Sequence, residues 1–390
     1  MSAKRRAVIV AARRTAVTPR GGALSHLQAD ELAAPVLTRL IRDAGLTPGN
    51  VDHVLLGNAL YGGGNPARLA ALRAGLPQSV PALTIDTQCC SGLDAILMGA
   101  RMIEAGAADC VLAGGTESFS RSPIRMRRPR TTDEDPVAYD RPPFAPPPFT
   151  DPDLAEAAAG LAQRMGISRK RQSDFAVRSH HRALAAEKAT QDNLVFVDGG
   201  PGRDSFTRAL SEKVAERAPV LAGVEETGVT AATIACEADG AAAVLLLAED
   251  HPAAQAAPVL RILDDVSLGG DPADPALVPI AVAKALFSKG GIASRDLAVV
   301  ELMEAYAVQA MVTAERLDLD LGSLNPLGGA LARGHPIGAS GAILAVQLFE
   351  RLIRQETPTE GARSMGMALI AAAGGLGSGV LVEASVNKGG

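Results

Sequence analysis

The chain has 390 residues, 47% of them hydrophobic, which is more apolar surface than one average domain needs and predicts at least two packed cores. Its 38 Lys and Arg stand against 43 Asp and Glu, a formal charge of -5 that leaves no basic excess for a nucleic-acid backbone and argues against that partner. Glycines and charges recur too often for a membrane helix. The four cysteines contain no CxxC pair, which disfavours a disulfide framework and a zinc site and predicts a reducing cytoplasm.

In chain order, Lys4-Arg5-Arg6 followed by residues 7–12 resembles the start of a signal segment, but Arg13-Arg14 ends the apolar run at once. The run is read as a buried first strand. Further strand patterns fall at 54–56, 110–113, 241–247 and 298–302, and helical patterns at 29–44, 92–105, 170–187, 302–316 and 339–354. That alternation predicts an α/β protein with helices covering a mostly parallel sheet. Aromatics are 3% and Trp is absent while glycines number 40, so the core must rest on aliphatic and small residues that let backbones approach. Residues 119–238 differ in texture: 125–130 is basic, and Pro142-Pro143-Phe144-Ala145-Pro146-Pro147-Pro148 suits neither helix nor central strand. This stretch reads as an inserted loop domain over a cleft.

Two segments look alike. Cys90-Ser91-Gly92-Leu93 opens a helix leading to a strand and Gly114-Gly115; Ala339-Ser340-Gly341-Ala342 opens one leading to residues 367–373 and Gly374-Gly375. Common punctuation explains this as readily as an internal duplication. A duplication would set Cys89 and His335 at equivalent helix starts facing one cleft.

Cys89 follows the extended Leu83-Thr84-Ile85-Asp86 and precedes a helix, where unpaired N–H groups and the helix dipole favour a thiolate. The same position also suits a cysteine that only fills a buried gap. His335 lies in the glycine-dense Asn325-Pro326-Leu327-Gly328-Gly329-Ala330-Leu331-Ala332-Arg333-Gly334-His335-Pro336-Ile337-Gly338, where a ligand can reach the backbone and an imidazole can take a thiol proton. A plain surface histidine is the competing reading. No metal site is predicted.

Over nearly its whole length the chain resembles the thiolase family. Thr84-Ile85-Asp86-Thr87-Gln88-Cys89-Cys90-Ser91-Gly92-Leu93 is similar to that family's nucleophile motif, and residues 328–341 are similar to its histidine motif. Gly114-Gly115-Thr116-Glu117-Ser118, Asp239-Gly240-Ala241-Ala242 and Glu304-Ala305-Tyr306-Ala307 follow in the family's order. The resemblance implies two similar α/β halves, mixed sheets flanked by helices, packed together as residues 1–118 plus 239–262 and residues 263–390, with 119–238 as an inserted loop domain that grips coenzyme A. It implies a homodimer or homotetramer with acyl-CoA thioesters as substrates, no permanently bound cofactor, and a place in lipid or polyketide metabolism. It further implies ping-pong chemistry through an acyl-Cys89 thioester with His335 as base, and an oxyanion held by N–H groups near Cys89 and the Gly374-Gly375-Leu376-Gly377 turn. Arg217, Gly334, Gly375 and Gly377 are the expected coenzyme A contacts. Arg121, Arg125, Arg127, Arg128 and Arg203 are further candidates for its phosphates, whereas His180 and Glu117 are assigned to packing or capping.

The chain departs from the family in ways that bear on the reaction. The family's second cysteine corresponds to Ala371, which cannot move a proton, and the asparagine of its Asn-Glu-Ala-Phe segment corresponds to Met303, which offers no donor. The pantetheine-facing Ser and Asn read Ala235 and Thr233, and Asp151-Pro152-Asp153-Leu154 replaces the usual segment before the covering helix. Three functions follow: an acyl-CoA acyltransferase that cleaves or condenses acyl-CoA, an acyltransferase to an amine, alcohol or water without carbon-carbon chemistry, and a silent subunit of an assembly. Retention of both Cys89 and His335 argues against the last.

Overall fold

The computed structural model describes residues 5–355 and 364–385. Lys4 of the basic start, and residues 386–390 of the expected C-terminal half, lie outside them. The apolar runs become strands β1 (Ala7–Arg14), β2 (His53–Gly57), β3 (Ala82–Ile85), β4 (Cys110–Glu117), β5 (Ala238–Ala248), β6 (Val259–Gly269), β7 (Leu297–Leu302), β8 (Ser364–Ala372) and β9 (Leu376–Ser385). The main helices are α1 (Ala29–Asp43), α2 (Pro66–Arg73), α3 (Ser91–Glu104), α4 (Leu154–Met165), α5 (Arg169–Ala186), α6 (Val278–Gly290), α7 (Ala307–Arg316) and α8 (Ile337–Phe349).

The strands lie in the order β7-β8-β9-β6-β1-β5-β4-β2-β3. In the first half β2 is parallel to β3 and β4, and β5 is antiparallel to β4 and β1. In the second, β7 is parallel to β8, and β9 is antiparallel to β8 and β6. The order β2-β4-β5-β1 therefore returns as β7-β8-β9-β6, and the two sets meet where Val8 and Ile9 pair with Arg261 and Leu260. This repeated order is what an internal duplication leaves behind. The sheet is mixed, as the family resemblance implies, and not mostly parallel as the strand-helix alternation alone suggests. One cause is the tight turn after β8, with Gly374 and Gly375 at φ 80° and 76°, which can only return the chain antiparallel.

Helices α3 and α8 form the middle layer. Leu93, Ile96 and Leu97 of α3 and Ile343 and Leu344 of α8 share one core with Val244 and Leu246 of β5 and Ile370 and Val380 of β8 and β9. The outer face of the first half is closed by α1, and that of the second by α4 to α7. Small residues let the middle layer come together backbone to backbone. A Cβ on Gly115 would stand 1.8 Å from the Gly338 carbonyl oxygen, one on Gly92 2.6 Å from that oxygen, and one on Gly341 2.6 Å from the Leu93 nitrogen.

The helix expected over 302–316 starts only at Ala307, because Met303 N–H bonds the Leu369 carbonyl and the Ala305 carbonyl accepts from Ala235 N–H, holding this stretch extended. Residues 119–238 hold α4, α5 and two small ribbons rather than loop alone. No helix among the described residues is long and apolar enough to cross a membrane.

Candidate active site

Cys89 sits on a sharp elbow between β3 and α3. Gln88 before it is held at φ 55°, a left-handed conformation that costs a non-glycine residue roughly 1–3 kcal/mol. The surrounding bonds impose it: Thr87 N–H donates to Ser91 Oγ at 2.8 Å, and Ser91 Oγ donates to the Gln88 carbonyl at 2.6 Å. His335 comes from the other half, just before α8. Its N–H donates to the Cys236 carbonyl at 2.8 Å, and Gly334 is required there because φ is 109° and a Cβ would lie 2.8 Å from that of Ala238.

The two side chains meet. His335 Nε2 lies 3.2 Å from Cys89 Sγ, and its Nδ1 lies 2.6 Å from Ser340 Oγ. Ser340 donates its own proton to the Pro336 carbonyl at 2.9 Å, so its oxygen is free to accept from Nδ1–H. The neutral ring therefore carries its proton on Nδ1 and presents a lone pair on Nε2 to the thiol. Ser340 reads in the sequence as helix punctuation; the available signal was its place in the first turn after a loop histidine, facing back toward it.

Burial sets the resting charge. Among surrounding protein atoms the Cys89 thiol is pushed up from 9.0 to about 12, chiefly by desolvation; the N–H groups of Ala373 and of Cys89 itself oppose the rise, and Glu117 and Asp86 add to it. Desolvation likewise lowers His335 to about 4. The shift runs against the thiolate expected at a helix start. The rise corresponds to at most about 4 kcal/mol against ionisation, whereas a helix terminus returns only ~0.3–1 kcal/mol. The resting pair is neutral thiol and neutral imidazole.

The sulfur opens into a cavity of about 50 Å³ whose lining includes Met303, Tyr306, Gln309, Ala371, Ala372 and Ala373. The N–H groups directed at Cys89 are its own and that of Ala373, one residue before the turn named from sequence. A Cβ on Gly375 would strike the Gly270 carbonyl oxygen and one on Gly377 would strike Val278 Cγ1, each at 2.6 Å. Arg217 is exposed after the short helix Glu212–Glu216. Arg125 donates to the Ala59 carbonyl at 3.0 Å, Arg127 stacks on Tyr139 and Arg203 pairs with Glu187 at 3.6 Å, while Arg121 and Arg128 are exposed.

Two buried carboxylates brace the site. Glu117 accepts from the N–H groups of Ala59, Leu60 and Gly338 at 3.0, 3.3 and 2.9 Å, tying the end of β4 to the start of α8. Burial pushes it up to about 7. Glu304 accepts from Ser179 Oγ and Asn325 Nδ2, both at 2.7 Å, and from Leu331 N–H at 3.3 Å, which pins the histidine loop. His180 is buried beneath Phe206 with Nδ1 facing Arg208 N–H at 3.4 Å, a packing position.

Residues 7–250 match the model of the thiolase N-terminal domain and residues 256–384 that of the thiolase C-terminal domain. The chain belongs to the thiolase family. Among its relatives is YhfS of Bacillus subtilis (strain 168), named as a candidate acetyl-CoA C-acetyltransferase, which is 37% identical over 97% of this chain and 99% of its own. VraB of Staphylococcus aureus (strain MRSA252), named in the same way, is 35% identical over 88% of this chain and 92% of its own. The crystal structure of the Bacillus anthracis acetyl-CoA acetyltransferase is similar with a TM-score of 0.88 at 29% identity, covering 99% of this chain and 100% of that one. Human mitochondrial 3-ketoacyl-CoA thiolase in complex with CoA gives 0.87 at 29% identity, with 98% of each chain covered. Within this thiolase, Ala371 and Met303 both line the Cys89 cavity.

Proposed function

We propose that this thiolase is an acyl-CoA acyltransferase working through an acyl-Cys89 thioester. The observation that carries the reading is the 3.2 Å contact between Cys89 Sγ and a His335 Nε2 whose lone pair is fixed by Ser340. As sulfur attacks the thioester carbonyl of acyl-CoA, His335 takes the thiol proton, the N–H groups of Cys89 and Ala373 stabilise the oxyanion, and the bond to the coenzyme A sulfur breaks. His335 then protonates the departing coenzyme A thiolate, leaving the acyl group on Cys89. Beginning from a neutral pair, the step needs His335 as a true base. The loop region 119–238 is the part that would hold coenzyme A, with Arg217 reaching its phosphates and Gly334 letting the chain approach the backbone.

Cleavage or condensation of a carbon-carbon bond is the activity that the relatives' names suggest. A second reading is favoured by Ala371 and Met303: with no proton carrier and no oxyanion donor at those cavity positions, the acyl group passes to an amine, an alcohol or water. Intact-mass measurement after incubation with acetyl-CoA tests the core of both. An acyl mass is expected on the native protein and none on Cys89→Ala, and His335→Ala should acylate roughly 10²–10⁴-fold more slowly. A label that maps to Cys90, fully buried with Sγ 3.7 Å from the Ile370 carbonyl, would refute the assignment.

A further inference from the structure

The Cys89 cavity contains a polar side chain that the chemistry above does not use. Gln309 of α7 is 2% exposed and lines the cavity, and neither its Nε2 nor its Oε1 has a hydrogen-bond partner among the described residues. A buried amide left open at both ends is costly, and native interiors rarely keep one without a reason. Gln347 is equally unpaired but does not line this cavity. Beside Gln309 the wall carries the ring of Tyr306, whose hydroxyl burial keeps protonated. The lining also includes Met303, Ala371 and Ala372, whose side chains offer no strong donor or acceptor, and Asp274, whose carboxylate is engaged by Arg164.

An amide with a free donor and a free acceptor side by side is complemented by a group that both accepts and donates. A hydroxyl does so; a methyl, a methylene or a lone carbonyl does not. The space is also limited. At about 50 Å³ the cavity takes roughly three to five water-sized groups, enough for a short chain beyond the reacting carbonyl.

We infer that Gln309 is a specificity-determining residue that selects a short acyl chain bearing a hydroxyl group, held by its amide in the Cys89 cavity. This rests on the acyl-Cys89 reading and adds the substrate class to it. The covalent step is unchanged: the carbonyl carbon exchanges its bond to the coenzyme A sulfur for one to Cys89 Sγ, the thiol proton passes by way of His335 to coenzyme A, and the hydroxyl is not consumed. Without the hydroxyl, the acyl chain leaves the amide unpaired and displaces any water that paired it, so the site discriminates by what it would strand as well as by what it binds.

The test compares butanoyl-CoA, 3-hydroxybutanoyl-CoA and 4-hydroxybutanoyl-CoA at sub-saturating concentration, reading the initial rate of acyl-Cys89 formation by intact mass. In the native protein at least one hydroxylated thioester should acylate roughly tenfold or more faster than butanoyl-CoA, the factor expected for one satisfied buried hydrogen bond. That preference should fall to below about threefold in Gln309→Leu and in Gln309→Met, which keep the volume and remove the amide. Equal rates for all three thioesters in the native protein overturn the inference while leaving the acyl-Cys89 reading intact, as does a preference that survives in either folded variant. If both variants fail to fold, the native comparison alone decides. An absence of adduct with every thioester defeats the acyl-Cys89 reading and this inference with it.

Discussion

Ser340→Ala isolates the device that orients the base. Ser340 Oγ accepts from His335 Nδ1–H at 2.6 Å while donating to the Pro336 carbonyl at 2.9 Å, so the variant removes the acceptor of a buried N–H, whereas the Pro336 carbonyl keeps the Ala339 and Ser340 N–H groups, each at 2.9 Å. One unsatisfied buried group costs about 1–3 kcal/mol, which the ring can escape by moving its proton to Nε2, where it blocks the thiol. Either way the reactive tautomer loses about 1–3 kcal/mol, and acylation should slow by about 5- to 150-fold. The pH profile adds a second readout. With His335 near 4 and Cys89 near 12, the native acylation rate should be flat from about pH 5 to pH 9, fall in acid as His335 protonates, and rise only in strong alkali. The assay is coenzyme A release in the acylation burst, combined with ring-nitrogen NMR of His335 to locate its proton. Proton occupancy on Nδ1 that is the same in the native protein and the variant, with an unaltered rate, refutes the orienting role. A native rate that climbs through pH 6–8 would instead show that a group controlling the step titrates there, and would refute the flat profile.

Ala371→Cys combined with Met303→Asn should raise acetoacetyl-CoA cleavage by about 10²-fold or more, since it returns a proton carrier and a donor to the cavity wall; vigorous cleavage by the native protein would show that another group already serves. Glu301 is buried in β7 with neither carboxylate oxygen hydrogen-bonded, and burial pushes it up to about 8 from 4.5. Its folded-state value lies above the unfolded one, so the stability it confers is complete below 4.5 and is lost as pH rises through 8, with a slope of up to about 1.4 kcal/mol per pH unit. Glu301→Gln should flatten that decline, so its melting temperature should gain on the native protein between pH 5 and pH 8; a constant gap would refute the assignment.

Much of this architecture was legible because it depends on local rules. The apolar runs at β1, β4, β5 and β7 and the helices after Cys89 and His335 follow from periodicity and from small residues at helix starts. The likeness of the two Ser-Gly helix openings was visible, but the order of strands was not, since pairing across the sheet is decided by crossovers that leave no mark in a local window. Charge was read least well. A helix start argues for a thiolate, and only the three-dimensional enclosure of Cys89 shows that desolvation exceeds the dipole. Ser340, Ala373 and Gln309 escaped notice for a related reason: each is ordinary in its own segment and acquires meaning from what the other half of the fold sets beside it.

The glycine seam between α3 and α8 has a consequence for how such a molecule can diversify. Because Gly92, Gly115, Gly338 and Gly341 bring main chain against main chain, the spacing of Cys89 and His335 is set by backbone contacts that a side chain at any of the four would break. The cavity wall, by contrast, is made of side chains, among them Met303, Tyr306, Gln309 and Ala371. Selection can therefore rewrite the lining of the pocket while the 3.2 Å contact between Cys89 and His335 is carried along unchanged.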